Sequence, residues 1–585
     1  MRFVVAIVSI VVATVLIGIG VAQQTILKLP DRVTASVHLD STAPVTIIDA
    51  SVLGTFPNTQ RVTITGAADA PVFASIGRTS DVLAWIGDAS YTSLSYNLET
   101  RELDGKLHTG TEATVPNPAG SDLWTSEYSS TGTIHPDVLL SNANSPKTML
   151  IASDGTAPAP ADVSISWPVE NDTPWAGPLL IAGGALLVVG LALLLWSIIR
   201  LRIVRGPRRR SPRMPKLPKR PRYKPSKRAK PLPSSRRGRR STRFGFVVPV
   251  AVASAVVLAG CTFEPAPVPV ETPTATATTD AAPTPPPVVS ERQARVILSR
   301  IRSVADKADA DLDGDLAATR FTGPALELRR ANYTIRKDDK KEPAVAAIPD
   351  GAPQILLPQK SESWPRTVFV VAPYSDATKS PLAMMLVQQD ARSNYTVQYA
   401  MSLEPGAVIP QVPAAEVGAD QVAPDLKTFT VLPSQLAAAY GDILINDSDS
   451  PWFASFDETS DSLRDSVGKA AKEKRRKALP DTAKLTFSNA PGTGPVIVLA
   501  TVQLGAIVAV DLDETETVKP VETGATVTAP NNVRALSGKS TSSTGLRAEY
   551  SDQLLFYVPP ITQTGGLVKL LGYASGMVSA SEVKK

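Results

Sequence analysis

Three uninterrupted apolar runs divide the chain into its main parts. They predict an N-terminal transmembrane segment over residues 1–22, a transmembrane helix over residues 178–199 and a third, shorter membrane segment over residues 244–261. The first two runs are long enough to cross about 30 Å of hydrocarbon as helices. Trp175 and Trp196 lie near the ends of the second run, at the depth where amphipathic aromatic rings settle.

The first apolar run has a second interpretation. Gly20-Val21-Ala22 has the small-x-small form of a signal-peptidase site, which would make the run a cleaved signal peptide. Its apolar core is longer than the usual core of a secretory signal, about 7–15 residues. We therefore favour an uncleaved signal anchor.

Between the first two runs, apolar and polar residues alternate in short stretches separated by Gly, Pro, Asn and Asp. The stretches RVTASVHL, VTIIDASVL, RVTITG and DVSISWPV are examples, and a period of two is typical of strands with one buried face. Residues 23–177 are therefore predicted to form an all-β, sandwich-like domain of about eight strands.

In the last half of the chain the pattern changes to helices followed by strands. Ser290 and Gln293 form a capping box, and apolar residues then recur every three or four positions, which predicts an amphipathic helix. Strand-like stretches follow, and after a Pro-rich break near residues 405–433 the same order recurs. We therefore predict an α+β region of two similar halves, residues 290–412 and 413–585, each with its own antiparallel sheet.

The net charge of +5 hides a strong asymmetry along the chain. Residues 200–243 carry 20 of the 60 Lys and Arg and no acidic residue, so the rest of the chain has 40 basic and 55 acidic residues. Frequent prolines exclude a helix there, and the positive-inside rule places this basic arm in the cytoplasm. Residues 23–177 and 262–585 are then extracytoplasmic, and the arm is expected to contact membrane lipids, not nucleic acid.

The third apolar run has the layout of a known processing signal. Basic residues precede it, and it ends in Leu258-Ala259-Gly260-Cys261, before a Pro/Thr/Ala linker over residues 262–289. This layout resembles a bacterial lipoprotein signal peptide with its lipobox, which implies that Cys261 is acylated and becomes a new N-terminus. Lipoprotein signals stand at an N-terminus, whereas this one is internal. The other interpretation is an ordinary short membrane helix that ends in Cys261.

Other stretches also carry a family resemblance. TITGAADAPVFASIGRTSDVLAWIGDASYTSL and TMLIASDGTAPAPADVSISWPV resemble β-domains of uncharacterised actinobacterial membrane proteins. The TGPAL and FYVPP segments resemble actinobacterial lipoproteins with a C-terminal domain of unknown function. With the repeated order of helices and strands, this resemblance implies two tandem domains of the nuclear-transport-factor-2-like (NTF2-like), or cystatin-like, class. It implies an envelope location and no particular activity.

Cysteine and histidine, two of the residue types that most often carry out catalysis, are scarce in this chain. Cys261 is the one cysteine, which excludes a disulfide framework or a thiolate metal site within one chain. None of the three histidines lies in residues 290–585, which excludes histidine-based acid–base or Ser-His-Asp chemistry there. We predict no catalytic, cofactor-binding or metal-binding residues.

Four short motifs have both a functional and a structural interpretation. Asp309 to Asp315 copies the start of a calcium loop, but Arg320 stands where the closing glutamate belongs, so an acidic helix end is favoured. Asp511-Leu512-Asp513 has the spacing of a metal-binding carboxylate pair, without the nucleotide domain that such pairs accompany. Gly538-Lys539-Ser540 lacks the first glycine of a phosphate loop. Lys472 to Lys477 is expected on a solvated helix face, with contact to an anionic polymer as the alternative.

These features favour a non-enzymatic cell-envelope protein, anchored in the cytoplasmic membrane, that binds or scaffolds other envelope proteins or cell-wall polymer outside it. The alternative is an envelope enzyme or carrier that binds a lipid or glycan precursor in an NTF2-like cone. An apolar, side-chain-filled cone would favour the scaffold. Buried polar groups beside a pocket would favour the carrier.

Overall fold

The computed structural model describes residues 2–26, 31–56, 58–139, 146–169, 175–204, 284–459 and 461–584. The third predicted membrane segment with its lipobox lies outside these residues, as do the basic arm beyond residue 204 and the linker up to residue 283. The chain divides into two compact units, residues 1–28 with 173–282 and residues 29–172 with 283–585.

The first unit contains two apolar helices, α1 (Arg2–Thr25) and α4 (Ala176–Val204). Both are long and apolar enough to cross a membrane, as the sequence predicts, and most of their side chains are exposed. Each helix has small buried residues seven positions apart, namely Ala6, Ala13 and Gly20 in α1 and Ala176, Gly183 and Gly190 in α4. A repeat of seven keeps one stripe of a helix facing its partner.

The two stripes pack against each other in an antiparallel pair. A Cβ atom on Gly183 would lie 2.7 Å from Ile17 Cγ1, and one on Gly190 would lie 2.8 Å from Ile10 Cγ1. Small residues allow such a close approach, which provides the van der Waals contact that holds helices together in lipid.

The β region (residues 29–172) is a sandwich of two sheets. Its elements are β1 Arg32–His38, β2 Val45–Ile48, α2 Ala50–Leu53, β3 Gln60–Thr65, β4 Pro71–Arg78, α3 Thr79–Ile86, β5 Tyr91–Asn97, β6 Glu102–His108, β7 Ser126–Thr131, β8 Thr133–Ile134, β9 Asp137–Val138, β10 Lys147–Ala152 and β11 Asp162–Pro168. The strand orders are β1-β11-β3-β8, with β9 also pairing β3, and β6-β5-β2-β10-β4-β7. The predicted β-rich architecture is confirmed.

Helix α3 is an addition to the predicted all-β architecture, and the strand pairing is mixed. Strands β2 and β5 run parallel, and helix α3 covers the outer face of the six-stranded sheet. The inner faces of the two sheets share one apolar core around Ile48, Ile64 and Trp167. Because this core occupies one face of the six-stranded sheet, the apolar residues on its other face need α3 as a cover.

The α+β region (residues 283–585) has the predicted order of helices and strands, twice over. The first set is α5 Glu291–Asp311, α6 Gly314–Ala318, α7 Gly323–Asp338, β12 Ile355–Pro358, β13 Arg366–Ala372, β14 Leu382–Gln388 and β15 Thr396–Leu403. The second set is α8 Leu436–Asn446, α9 Ser462–Val467, α10 Lys469–Ala478, β16 Ala483–Pro491, β17 Ile497–Ala500, β18 Ala506–Pro520, β19 Val527–Thr528, α11 Asn531–Ser537, β20 Thr541–Ser542, β21 Leu546–Val558 and β22 Lys569–Glu582. Ser290 and Gln293 form the predicted capping box at the start of α5.

The expectation of a separate sheet in each half is wrong. Ser402 and Leu403 of β15 pair with Tyr573 and Gly572 of β22, which joins the halves into one sheet of order β12-β13-β14-β15-β22-β21-β18-β16, with β17 on β18. The same two residues of β22 also pair with Leu554 and Leu555 of β21, so β22 lies between β15 and β21 and links them. The Pro-rich break near 405–433 bridges to both halves instead of separating them.

Three large apolar cores and one small one, described below with the flap, form on this sheet. Helices α5 to α7 cover one face of the first half around Ile301 and Val370, and α8 covers the same face of the second half around Tyr440 and Phe556. The opposite faces of the two halves pack against each other in a third core that includes Met401. The helix-covered interior of the first half is therefore filled with apolar side chains.

Candidate functional sites

Asp122 is the centre of a contact between the β region and the α+β region. Its carboxylate has no exposed surface and accepts hydrogen bonds from Arg320 Nη1 at 2.5 Å and Arg300 Nη1 at 3.1 Å. It also accepts from the backbone N–H of Tyr395 at 3.0 Å. Arg300 forms a second ion pair, with Glu127, at 2.8 Å. Two arginines of one region therefore neutralise a carboxylate that the other region buries.

A second ion pair lies beside it, at the start of α3. Arg366 Nη2 donates to Asp81 Oδ1 at 2.7 Å, and their side chains are 0% and 3% exposed. The Arg366 guanidinium also lies 3.8 Å from the centre of the Trp364 ring. Arg78 Nε is 3.9 Å from the other Asp81 oxygen, so this carboxylate also has two cationic neighbours.

Arg392 binds the end of the same helix. It donates to the carbonyl oxygens of Trp85 at 2.8 Å and Ile86 at 2.7 Å, and forms an ion pair with Glu112 at 2.7 Å. A basic side chain there satisfies the carbonyls that a helix leaves unpaired at its C-terminus.

Apolar contacts surround these polar ones. Ala391 and Trp364 of the α+β region pack against the cluster of Val82, Trp85 and Trp124 in the β region. We call the whole contact, with Asp81, Asp122, Glu112, Arg300, Arg320, Arg366 and Arg392, the domain interface. No local sequence signal marks it, because these residues are scattered between positions 81 and 392 and no short spacing links them.

A cavity of about 560 Å³ is the second candidate site. It lies under residues 521–545, which carry β19, α11 and β20 and which we call the flap. The flap covers one end of the long strands β18, β21 and β22, where the buried core consists of Val533, Leu546, Ala548 and Met577. The cavity is lined by Leu479, Pro480, Thr482, Ala483, Glu516, Val518, Thr526, Val527, Thr528, Pro530, Asn532, Val533, Leu546, Ala548, Tyr550 and Met577.

Two polar side chains of the sheet face this cavity. The Tyr550 hydroxyl has no hydrogen-bond partner among the described residues, and burial raises the pKa of Tyr550 to about 12. Glu516 accepts a hydrogen bond from Arg475 at 2.7 Å, and burial raises the pKa of this carboxyl as well. The Tyr550 hydroxyl therefore stays uncharged at neutral pH. The Glu516 carboxyl holds a proton more readily than it would in water.

A buried charged cluster continues along the same face of the sheet. Residues two apart in a strand share a face, so Glu514 and Glu516 of β18 lie beside Tyr550 and Asp552 of β21. Lys472 of α10 donates to Glu514 at 2.6 Å, and their side chains are 2% and 4% exposed. The expectation that Lys472 to Lys477 forms a solvated face is therefore wrong for Lys472, since α10 packs this side against the sheet.

Asp552 is the most buried carboxyl of this cluster, with 1% exposure. Neither of its oxygens meets a hydrogen-bond partner in good geometry among the described residues, although the Ser575 hydroxyl is close. Burial raises the pKa of Asp552 to about 7, and the neighbouring Glu514 adds to the shift. This carboxyl therefore keeps its proton up to near-neutral pH, well above the range of an exposed aspartate.

The calcium-like motif is used for structure. Asp309 accepts hydrogen bonds from Arg329 Nη1 at 2.5 Å and from the Tyr333 hydroxyl, and Asp313 caps α6. Arg320, at the closing position, binds Asp122 instead. Among the described residues, no group of three or more His, Cys, Asp or Glu is placed to hold a metal ion.

Two further sequence motifs have structural roles, and the lipobox lies outside the described residues. Asp511 accepts a hydrogen bond from Ser551 at 2.7 Å, and burial raises its pKa to about 6. Gly538 ends α11 with a left-handed backbone, the usual place of a helix-terminal glycine. The candidate lipidation residue Cys261 and the lipobox residues Leu258, Ala259 and Gly260 lie outside the described residues.

Comparison with other proteins identifies the family. No curated protein and no solved structure matches the chain. A family model described as a domain of unknown function, DUF8094, matches residues 285–582, which covers the α+β region and just over half of the chain. The chain therefore belongs to the DUF8094 family.

Proposed function

We propose that the chain is a non-enzymatic, membrane-anchored protein of the cell envelope. In this proposal the β region holds the α+β region outside the cytoplasmic membrane, and together they form a scaffold for other envelope proteins or cell-wall polymer. The domain interface carries the proposal, because its central carboxylates, Asp81 and Asp122, are buried and paired with arginines of the other region, which holds the two regions together.

The domain interface also bears on membrane topology. Two regions in contact lie on the same side of a membrane, so a chain that leaves the β region through α4 must return before residue 283. The one long apolar run between residues 205 and 283 is the predicted third segment, residues 244–261. The contact therefore supports a third crossing there, and the 20 basic residues of the arm support a cytoplasmic location for residues 200–243.

The packing of α1 supports an uncleaved anchor. Gly20 belongs to the small-residue stripe against α4, and a Cβ atom there would lie 2.9 Å from Leu180 Cγ. The same residue opens the candidate cleavage motif. A role in helix packing explains a small residue at this position without a peptidase.

The topology is tested by cysteine labelling in intact, wall-stripped cells. In a Cys261→Ala background, Val408→Cys is expected to react with a membrane-impermeant maleimide, because Val408 is 82% exposed in the α+β region. Ser226→Cys, within the basic arm, is expected to react only after the cells are permeabilised. Reaction of Ser226→Cys in intact cells would contradict the proposed topology.

Processing at Cys261 is tested by metabolic labelling with a fatty acid. Cys261→Ala is expected to abolish the label and to leave one full-length chain, because the thiol is the predicted acylation site. The cleaved wild type is expected to give two products that co-purify, since the domain interface holds them together. If wild type and variant both stay unlabelled and full length, Cys261 only ends a third membrane helix.

A second candidate function is a carrier. It is favoured by the cavity under the flap, where apolar walls meet Glu516 and Tyr550 next to a buried charged cluster. Apolar cavities with a few polar groups of perturbed pKa are the usual form of small-molecule sites.

A further inference from the structure

The cavity under the flap has the properties of a site for a chain-like apolar molecule. Ten of its lining residues are Leu, Val, Ala, Met or Pro, and they come from the flap, the sheet and the segment after α10. Its volume of about 560 Å³ is within the range of ligand sites. An apolar molecule in this space would be removed from water on several sides, which is the main source of affinity for such ligands.

The flap is weakly held and can admit a ligand. Its core has four buried apolar residues, whereas the core around Phe556 under α8 has about twenty. Its outer contacts, Arg534 with Asp338 and Lys539 with Glu582, are partly exposed ion pairs, which contribute little to stability. Elements with few buried contacts open at low free-energy cost.

The polar groups of the wall select the head of the ligand. Glu516 adds a carboxylate to the wall, so an anionic head beside it would be repelled. A hydroxyl head can donate a hydrogen bond to Glu516 and accept one from the unpaired Tyr550 hydroxyl. Arg475 donates to Glu516 at 2.7 Å from behind the wall, and no Lys or Arg lines the cavity, so the wall presents no cation to a carboxylate or phosphate.

We propose that this cavity binds an uncharged single-chain lipid whose head carries hydroxyl groups, a monoacylglycerol being the simplest example. The inference rests on the carrier function above and gives the chemical class of its ligand. The membrane to which the chain is anchored is a source of such lipids.

The test uses the full-length protein in nanodiscs and two diazirine-bearing probes with the same chain, a monoacylglycerol and a fatty acid. Cross-links of the monoacylglycerol are expected on peptides that contain Glu516 or Tyr550. Ala548→Phe places a phenyl ring in the cavity and is expected to lower these cross-links by about tenfold or more. A misfit of a single methylene in an apolar pocket already changes binding by about that factor. Thr486→Phe, on the exposed side of β16, is the matched control and is expected to change nothing.

A second variant tests the choice of head. Glu516→Gln removes the carboxylate and is expected to raise fatty-acid cross-linking relative to monoacylglycerol cross-linking. Both Ala548→Phe and Glu516→Gln are expected to unfold in the same cooperative transition as the wild type. Equal labelling of wild type by both probes would overturn the neutral-lipid class. If neither probe cross-links there but native mass spectrometry finds another molecule that Ala548→Phe excludes, the ligand class is wrong and the carrier function stands. Cross-links confined to α1 and α4, with no molecule bound under the flap, would overturn both the neutral-lipid ligand and the carrier function.

Discussion

Asp122→Ala is expected to lower the free energy of unfolding of the unit formed by the β region and the α+β region by about 3–5 kcal/mol. The substitution leaves the guanidinium of Arg320, which is 8% exposed, without its carboxylate and removes one partner of Arg300. The backbone N–H of Tyr395 also loses its acceptor. Removing one member of a buried pair costs the desolvation of the charge that remains.

The measurement is denaturant unfolding of the full-length chain in detergent, followed by tryptophan fluorescence. Trp85, Trp124 and Trp364 lie in or beside the domain interface and report its opening. Asp137→Ala is the matched control, because Asp137 pairs with Arg61 at the surface with both side chains more than half exposed. Its expected cost is under about 1 kcal/mol. Equal effects of the two substitutions would show that the interface does not hold the regions together.

The second large effect is a pH dependence that originates at Asp552. Its pKa is raised to about 7 in the folded state from 3.8 in the reference state, so the folded chain binds more protons than the unfolded one between these values. Stability is therefore expected to fall as pH rises from about 4 to about 7, by up to about 4 kcal/mol from this group.

Asp552→Asn is expected to remove most of this slope and to stabilise the chain above pH 7, because an amide carries no charge to bury. Thermal unfolding midpoints across that pH range measure both effects. Asp511, whose pKa is raised to about 6, is expected to leave a smaller residual slope of the same sign. Asp313→Asn is the control, since the pKa of exposed Asp313 is lowered by backbone hydrogen bonds and asparagine is also a good helix cap. An unchanged slope in Asp552→Asn would show that this carboxyl is not the source.

Much of the local structure is predictable because short-range patterns determine it. A run of apolar residues as long as a bilayer is thick identifies α1 and α4 whatever surrounds them. The capping box at Ser290 and Gln293 is a contact within four residues, so the start of α5 follows from those residue types. Period-two alternation likewise identifies the β-rich region, since one buried face is enough to impose it.

Short-range patterns do not predict which distant strands pair with each other. Alternation shows that a strand has a buried face but not which strand lies beside it, so nothing in residues 396–403 specifies pairing with β22. Strand β18 shows the same limit, because carboxylates occupy both of its faces, Asp511 and Asp513 on one and Glu514 and Glu516 on the other. Only the packing of α10 decides that Glu514 is buried and paired with Lys472.

The candidate sites also depend on contacts between distant parts of the chain. Asp122 and Arg320 are ordinary charged residues in sequence and become a buried pair only when two regions far apart in the chain meet. The cavity under the flap exists because residues 521–545 cover the end of a sheet whose strands are assembled from separate parts of the chain. The sequence by itself determined the two apolar helices that are long enough to span a membrane, the β-rich and α+β regions and the scarcity of cysteine and histidine. The tertiary structure decided the continuous sheet, the domain interface and the cavity, because each depends on contacts between residues far apart in the chain.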